Sequence, residues 1–347
     1  MPQIVHNPLI KVKFSLFVIG SLLKYLEQNI NSFSIIGRLY FMSQFRTEIL
    51  KLAETTALTN KEIAKVVGCS EKTVLTYAGS YIKRTKAKTD FDETAWQIQK
   101  TILLPDIHHP HYDERVMESV NEFIFDYDPD EIVYMGDQLS LDCISYWNKT
   151  KPLLKEGQRL MKDYNNFDSE ILKVHENLTR QDIRRTFLIG NHEYRVNNYV
   201  EEHPELEEFI DIARHLDLLE RGYVIVPFNA VHKVGKLMVM HGRYWGMYHS
   251  KKTVDEFEGN VVYAHVHNPQ MFTKISPVDA KGYHMATSLP CLCNIQPDYK
   301  RNAPTHWVNG FGIVEHLPAT GFFNLYTIII IEGSFMWNGK YYGKTLG

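Results

Sequence analysis

Five times along this chain a short apolar run stops at residues of the kinds that ligate metals. The run 101–104 leads to Asp106-Ile107-His108, 131–135 to Gly136-Asp137, and 186–189 to Gly190-Asn191-His192-Glu193; 236–240 leads to His241-Gly242 and 261–264 to His265-Val266-His267. Runs of this length, separated by helix-compatible segments, read as buried strands of an α/β sheet. In such sheets ligands gather outside the carboxyl ends of strands, where loops converge. The pattern therefore predicts that Asp106, His108, Asp137, Asn191, His241, His265 and His267 meet at one place. A single His in an apolar run is often a packed core residue, but packing alone does not explain this ordered set. Imidazole favours Zn, Fe, Ni or Co, carboxylate and amide oxygens favour Mn or Mg, and a mixed set is compatible with Mn, Fe or Zn. In His265-Val266-His267 the two imidazoles point the same way if the strand end is extended.

Taken in order, Asp-x-His, Gly-Asp, Gly-Asn-His-Glu, His-Gly and a Gly-His-x-His-like segment resemble the calcineurin-like, binuclear metallophosphoesterases. That family includes phosphoprotein phosphatases, nucleotidases and nucleases. The resemblance covers residues 97–320. It implies an α/β fold, a β-sandwich flanked by helices (αββα), and two divalent ions, Mn foremost, with Fe, Zn or Ni as alternatives. By motif position Asp137 would bridge the ions, with Asp106, His108 and His267 completing one site and Asn191, His241 and His265 the other. His192 matches the histidine that protonates the leaving oxygen, after attack by a hydroxide that the two metals activate. Glu193 reads as a residue that holds the loop. Arg195 and Arg243 lie just past ligand segments and suit phosphate oxygens, although each reads equally well as a salt-bridge residue. The chain departs from the family pattern at Ala264, where Gly is usual, and at Ser140, where many relatives carry an Asp or His that orients the catalytic histidine. Asp142 is the candidate stand-in.

The chain of 347 residues can hold one large domain and a small one. Its net charge of −3 excludes a uniformly basic nucleic-acid-coating protein, so any such binding is local. Its four cysteines lack zinc-ribbon spacing and are too few for a disulfide scaffold, which predicts a reduced, cytoplasmic setting. Cys291 and Cys293 read as strand or loop residues rather than a metal or redox pair. Residues 1–41 carry a basic-then-apolar segment too short to span a bilayer, and no membrane association is expected. It reads as a signal or surface segment, as an extra helix, or, the favoured reading, as sequence upstream of a true start at Met42.

Residues 42–90 carry a helical pattern. Thr59-Asn60 followed by Glu62 resembles a capped helix start. Ile63, Ala64, Val66 and Val67 follow, then a turn at Gly68, and a helix capped by Ser70 with Val74, Leu75 and Ile82 on its inner side. This is similar to a small all-α helix-turn-helix domain, with Lys72, Thr73 and Thr76 outward towards a major groove and Lys83, Arg84, Lys86 and Lys88 placed for phosphates. The alternatives are a protein-protein module and a solvated linker. Beyond it, 114–125, 156–178 and 201–219 read as helical, with 156–178 as a sheet cover or lid; Trp147, Lys149 and Lys151 at its entrance suit substrate contact or, for Trp147, the core. Strand patterns recur near 284–289, 311–316 and 322–331, and 321–347 reads as a closing strand, hairpin and tail.

Three functions fit. The first is a metal-dependent phosphodiesterase or nuclease on nucleic acid, tethered by the amino-terminal helices. The second is a phosphomonoesterase or pyrophosphohydrolase of nucleotides and small phosphoesters. The third is a DNA-binding regulator with a non-catalytic phosphoesterase scaffold. The combined layout resembles proteins of bacteria and their phages, implying action in a bacterial or phage-infected cell.

Overall fold

The computed structural model describes residues 49, 51–52, 59–67, 69–75, 96–278, 282–297 and 303–344. The chain divides into two compact units, Met1–Glu93 and Thr94–Gly347, each described by itself. In the first, helix α1 (Asn60–Val67) opens with a reciprocal cap: the Glu62 carboxylate accepts the Thr59 N–H at 2.8 Å, and the Glu62 N–H reaches Thr59 Oγ1 at 3.4 Å. Ile63, Ala64 and Val67 are buried, as are Ile49, Leu52 and Val74. Ser70 caps the next turn by accepting the Thr73 N–H at 3.1 Å. Leu75 departs from the expected inner position and is 51% exposed. Successive helical residues diverge by about 100°, so burying Val74 turns its neighbour outward. Residues 1–41, Gly68, Thr76, Ile82, Lys83, Arg84, Lys86 and Lys88 lie outside the described residues.

The second unit is a two-sheet sandwich. Strands β1 (Gln99–Leu104), β2 (Glu131–Tyr134), β3 (Arg184–Leu188) and β4 (Tyr223–Val226) run parallel in that order. Helix α2 (Glu114–Tyr127) makes the first crossover, its N-terminus held by the Asp113 side chain accepting from the Arg115 and Val116 amides. The second sheet contains β5 (His232–Val234), β6 (Leu237–Met240), β7 (Val261–Tyr263), β8 (Gln270–Ile275) and β9 (Tyr283–Ser288), in the order β5-β6-β7-β9-β8. Strands β6, β7 and β9 are parallel. The antiparallel hairpin β10 (Gly310–Leu317) and β11 (Phe322–Ile329) completes the first sheet beside β1.

Period-two alternation sorts the side chains into layers. Leu103, Val133, Leu188 and Val314 meet Leu237, Val239, Val262 and Met285 between the sheets. Ile102, Leu104, Ile132, Tyr134 and Phe187 face the outer helices instead. Those helices include α3 (Leu160–Phe167), a π turn (Asp168–Leu172) and α4 (Lys173–Leu178), which bury Tyr164, Phe167, Ile171 and Leu172 on the sheet. The segment thus covers a sheet face. The α/β sandwich with helices on its outer faces is the expected fold class. Among the described residues no helix is long and apolar enough to cross a membrane.

Three expectations need correction. The helix expected from residue 156 is interrupted at Gly157, whose φ is +76°, and resumes at Leu160. The region 201–219 holds only short turns and helices, and its one long helix, α5 (Tyr194–Glu202), lies mostly before it; Pro204 and the cap of Asp211 on the Arg214 N–H break the remainder. A boundary at 320/321 would cut the β10–β11 hairpin. The segment beyond it contributes the sheet's edge strand, and only β12 (Phe335–Trp337) and β13 (Lys340–Tyr342) form a separate closing hairpin.

Candidate metal centre

Parallel strands deliver the ligand-type residues to one end of the sandwich. Asp106, His108, Asp137, His265 and His267 have φ between 43° and 76°. This left-handed region is uncommon outside glycine, although Asp, Asn and His tolerate it best. The chain turns sharply there as it leaves the strands. The loops after β2 and β3 approach so closely that a Cβ on Gly190 would lie 2.3 Å from the Asp137 amide nitrogen. Only glycine fits that crossing.

The donor atoms converge around Asp137. Its Oδ2 lies 3.3 Å from His241 Nε2 and 3.9 Å from the Nε2 atoms of both His108 and His192. On one side, His267 Nε2 is 3.4 Å from Asp106 Oδ1 and 3.1 Å from His108 Nε2. On the other, His241 Nε2 is 2.9 Å from Asn191 Oδ1, and Asp137, His241 and His265 have donor atoms within 4.8 Å of one another. All seven residues expected to meet therefore do so, in groups linked through His108 and Asp137. Asp106 and Asp137 are at most 2% exposed.

Buried nitrogens and carboxylates this close demand positive charge. Burial alone would lower His241 and His267, but each rises to about 9: Asp137 outweighs burial at His241, and Cys291 with Asp106 does so at His267. Burial, reinforced by neighbouring imidazoles, instead holds His108 well below its usual value and lowers His265. Asp137 ends well below the carboxylate range, because His241, His192 and His108 together overcome burial. His265 Nδ1 is buried without a hydrogen-bond partner. Two divalent cations would satisfy this orphaned nitrogen and the paired imidazoles together, displacing protons as they bind. The residues fit such ions.

Backbone carbonyls and amides fix the side chains around the donors. His241 Nδ1 donates to the Met135 carbonyl at 3.0 Å, leaving Nε2 for the centre. His192 Nδ1 donates to the Ser140 carbonyl at 3.0 Å. The main chain at Ser140 thus orients His192, and Asp142, the expected stand-in, instead meets Arg195 at 3.5 Å and His111 at 3.2 Å. A side-chain motif cannot reveal a carbonyl partner. Arg195 donates to the same carbonyl at 2.6 Å and to His192 Nε2 at 2.8 Å. Burial, with help from Arg195, lowers His192 to about 4. The Glu193 carboxylate accepts four amides, from Asp137, Gln138, Leu139 and Gly190, at 2.7–3.0 Å. It clamps the Asp137 loop.

Arg243 lies elsewhere, paired with Glu256 at 3.0 Å and donating to the Asn229 carbonyl at 3.0 Å. Cys291 and Cys293 are buried behind His267, with Cys293 Sγ 3.8 Å from its Nδ1, and belong to loop bridges flanking the site. Lys72 is exposed and Thr73 half-buried in the other unit. Apart from Trp147, sequence reasoning missed the cleft beside the centre. About 940 Å³ in volume, it is lined by Asn191 and His265 together with Trp147, Trp245, Met247 and Trp307. Trp147 and Trp245 are 76% and 78% exposed. With the tryptophans dispersed at 147, 245 and 307, Trp245 and Trp307 leave no local signal in sequence.

A sequence model of the calcineurin-like phosphoesterase family matches residues 100–308, more than half of the chain and all the ligand-type residues above. The chain belongs to the calcineurin-like phosphoesterase family. It is thereby a metal-dependent phosphoester hydrolase of a family that typically holds two divalent ions, and its donor clusters suit them. Among curated proteins, the Gene 54 protein of Mycobacterium phage D29 is 25% identical over 244 residues, which span 62% of this calcineurin-like phosphoesterase and 88% of the relative. A solved structure aligned over 67% of the chain and 99% of its own has 10% identity and a TM-score of 0.31, too distant to inform the fold.

Proposed function

We propose that the chain is a two-metal phosphodiesterase acting on nucleic acid. The position of Asp137, with one carboxylate within 3.3–3.9 Å of histidines in both clusters, carries this reading. Asp106, His108 and His267 would hold one ion and Asn191, His241 and His265 the other, with Asp137 available to both. Mn suits the mixture of imidazole, carboxylate and amide donors. When bound, the ions supply an activated solvent nucleophile and neutralise charge on the phosphoryl oxygens.

The protein's own residues handle the leaving side. The Ser140 carbonyl keeps His192 Nε2 directed at the centre, and that atom carries the proton given to the departing oxygen. Arg195, now on Nε2, suits a phosphate oxygen, and its transfer to substrate frees the imidazole for protonation. In the amino-terminal unit, Lys72, Thr73 and Thr76 are proposed as groove contacts, and Lys83 and Arg84 as phosphate contacts. The reciprocal Thr59–Glu62 cap, the Ser70 cap and the burial of Ala64 and Val74 support a helix-turn-helix there. The phage relative supports the cytoplasm of an infected bacterium as the place of action.

The test is hydrolysis by the full chain with Mn²⁺ of bis-p-nitrophenyl phosphate, its monoester and a single-stranded oligonucleotide. Cleavage of diester and oligonucleotide, abolished in His192→Ala and Asp137→Ala, is expected. Turnover of the monoester alone would make the protein a small-molecule phosphatase. Turnover of none, with DNA still bound, would leave a regulator on a silent scaffold.

A further inference from the structure

The cleft beside the centre has a composition that catalysis of ester hydrolysis does not itself require. Trp147, Trp245 and Trp307 all line it, and its floor includes Asn191 and His265. Two of these indoles border opposite groups of donors: Trp245 has its ring centroid 6.3 Å from that of His265, and Trp307 lies 4.3 Å from His267. Trp147 and Trp245 remain more than three-quarters exposed. Large apolar side chains left in water beside a reactive centre mark a binding surface.

We propose that these indoles form a subsite that stacks an unpaired nucleobase next to the scissile phosphate, so that the substrate is a single-stranded nucleic acid. This inference rests on the phosphodiesterase reading above. Planar indoles suit a planar base, and stacking tolerates sequence because every base has a π face. In a duplex both faces of a base are already stacked, and only an unpaired or extruded base can use the cleft. The cleft's position selects this occupant, because a nucleobase is joined to its phosphate by a single sugar. The helix that follows the Trp245 loop, His249–Phe257, also brings positive charge: Lys252 lines an adjoining groove with Tyr244 and Trp245, its Nζ 3.8 Å from the centre of the Tyr244 ring. An aromatic platform beside cations is the usual means of holding a single strand.

The experiment compares two diesters with the same leaving group, thymidine 5′-(p-nitrophenyl phosphate) and methyl p-nitrophenyl phosphate, in the full chain and in Trp147→Ala and Trp245→Ala. The expected result is a preference in kcat/KM for the nucleoside ester of roughly tenfold, the scale of one stacked base, falling towards unity in both variants. No preference in the parent protein, or one that both variants retain, would overturn the proposal. A second readout needs no turnover. With chelator present, a single-stranded thymidine oligonucleotide should quench indole fluorescence more than its duplex, and Trp245→Ala should lose most of that quench. Quenching without hydrolysis of either ester would sink the phosphodiesterase reading and keep the subsite. Hydrolysis of both esters without preference or quenching would do the reverse.

Discussion

The floor and the walls of the cleft are built on opposite principles. Beneath the floor that Asn191 and His265 form, Asp106, His108, Asp137, His241 and His267 are at most 8% exposed, and they sit at strand ends where the backbone is held by its neighbours. On the walls, Trp147 and Trp245 are more than three-quarters exposed on connecting segments. The floor has one permitted geometry, because each imidazole or carboxylate is fixed against another buried group. The walls have only to present a flat apolar face. Such a division places reactivity on the sheets and substrate choice on the loops, so the two can be broken separately.

Asp137→Ala should have the largest effect. It removes the only carboxylate shared by both clusters among the described residues, and turnover with Mn²⁺ should vanish. Loss of metal can be read without substrate. Mn²⁺ at a hundred times its Kd stabilises a single site by about 2.7 kcal/mol, and this rise in thermal stability should be lost in the variant while nucleobase quenching persists. Next is His192→Ala, expected to lower kcat by about 10² to 10⁴ while the Mn²⁺-dependent stabilisation remains. If kcat barely changed, the proton would come from another group. Glu193→Gln should be smaller but informative. One carboxylate oxygen accepts from Asp137 and Gly190 and the other from Gln138 and Leu139. Whichever way a glutamine amide turns, its NH2 faces two donors. Each buried donor left unmet costs about 1–3 kcal/mol, and a displaced Asp137 loop should weaken metal binding roughly 10- to 100-fold. Denaturant unfolding and Mn²⁺ titration would measure the two effects, and a fully stable variant with parent affinity would refute the clamp.

The same contrast explains what could be read in the sequence. The five strands before the ligands were legible because both faces of each are buried, which writes them as continuous apolar runs. Strand β8 was not, since four of its six residues are exposed and none is buried, and β5 has only three residues. The seven donors were legible because side chains coordinate metals. The device that orients His192 was hidden, because the Ser140 group involved is a carbonyl that any residue would have supplied. The left-handed backbone at Asp106, Asp137 and His265 also escaped notice, since it arises from how neighbouring loops meet. Of the walls only Trp147 stood out in the sequence, for a further reason. Their tryptophans come from three distant segments, and only the closed fold brings them together.

Arg243 stands between floor and walls and should have the smallest effect. It follows the His241-Gly242 strand end and precedes Trp245, which suggested a phosphate contact from sequence. Instead its guanidinium is held by Glu256 and by the Asn229 carbonyl, tying the root of the Trp245 loop to the body of the protein. Both partners are about one-third exposed, 36% and 37%, and pairs of this kind contribute roughly 0.2–1 kcal/mol. Arg243→Ala should therefore leave hydrolysis of methyl p-nitrophenyl phosphate near the parent rate. The looser loop should reduce preference for the nucleoside ester by no more than about fivefold, the factor that corresponds to 1 kcal/mol. A large rise in KM for both esters would instead place the guanidinium on the phosphate. The floor would then extend into the loop, and the separation between reactive sheet ends and selective walls would fail at this residue.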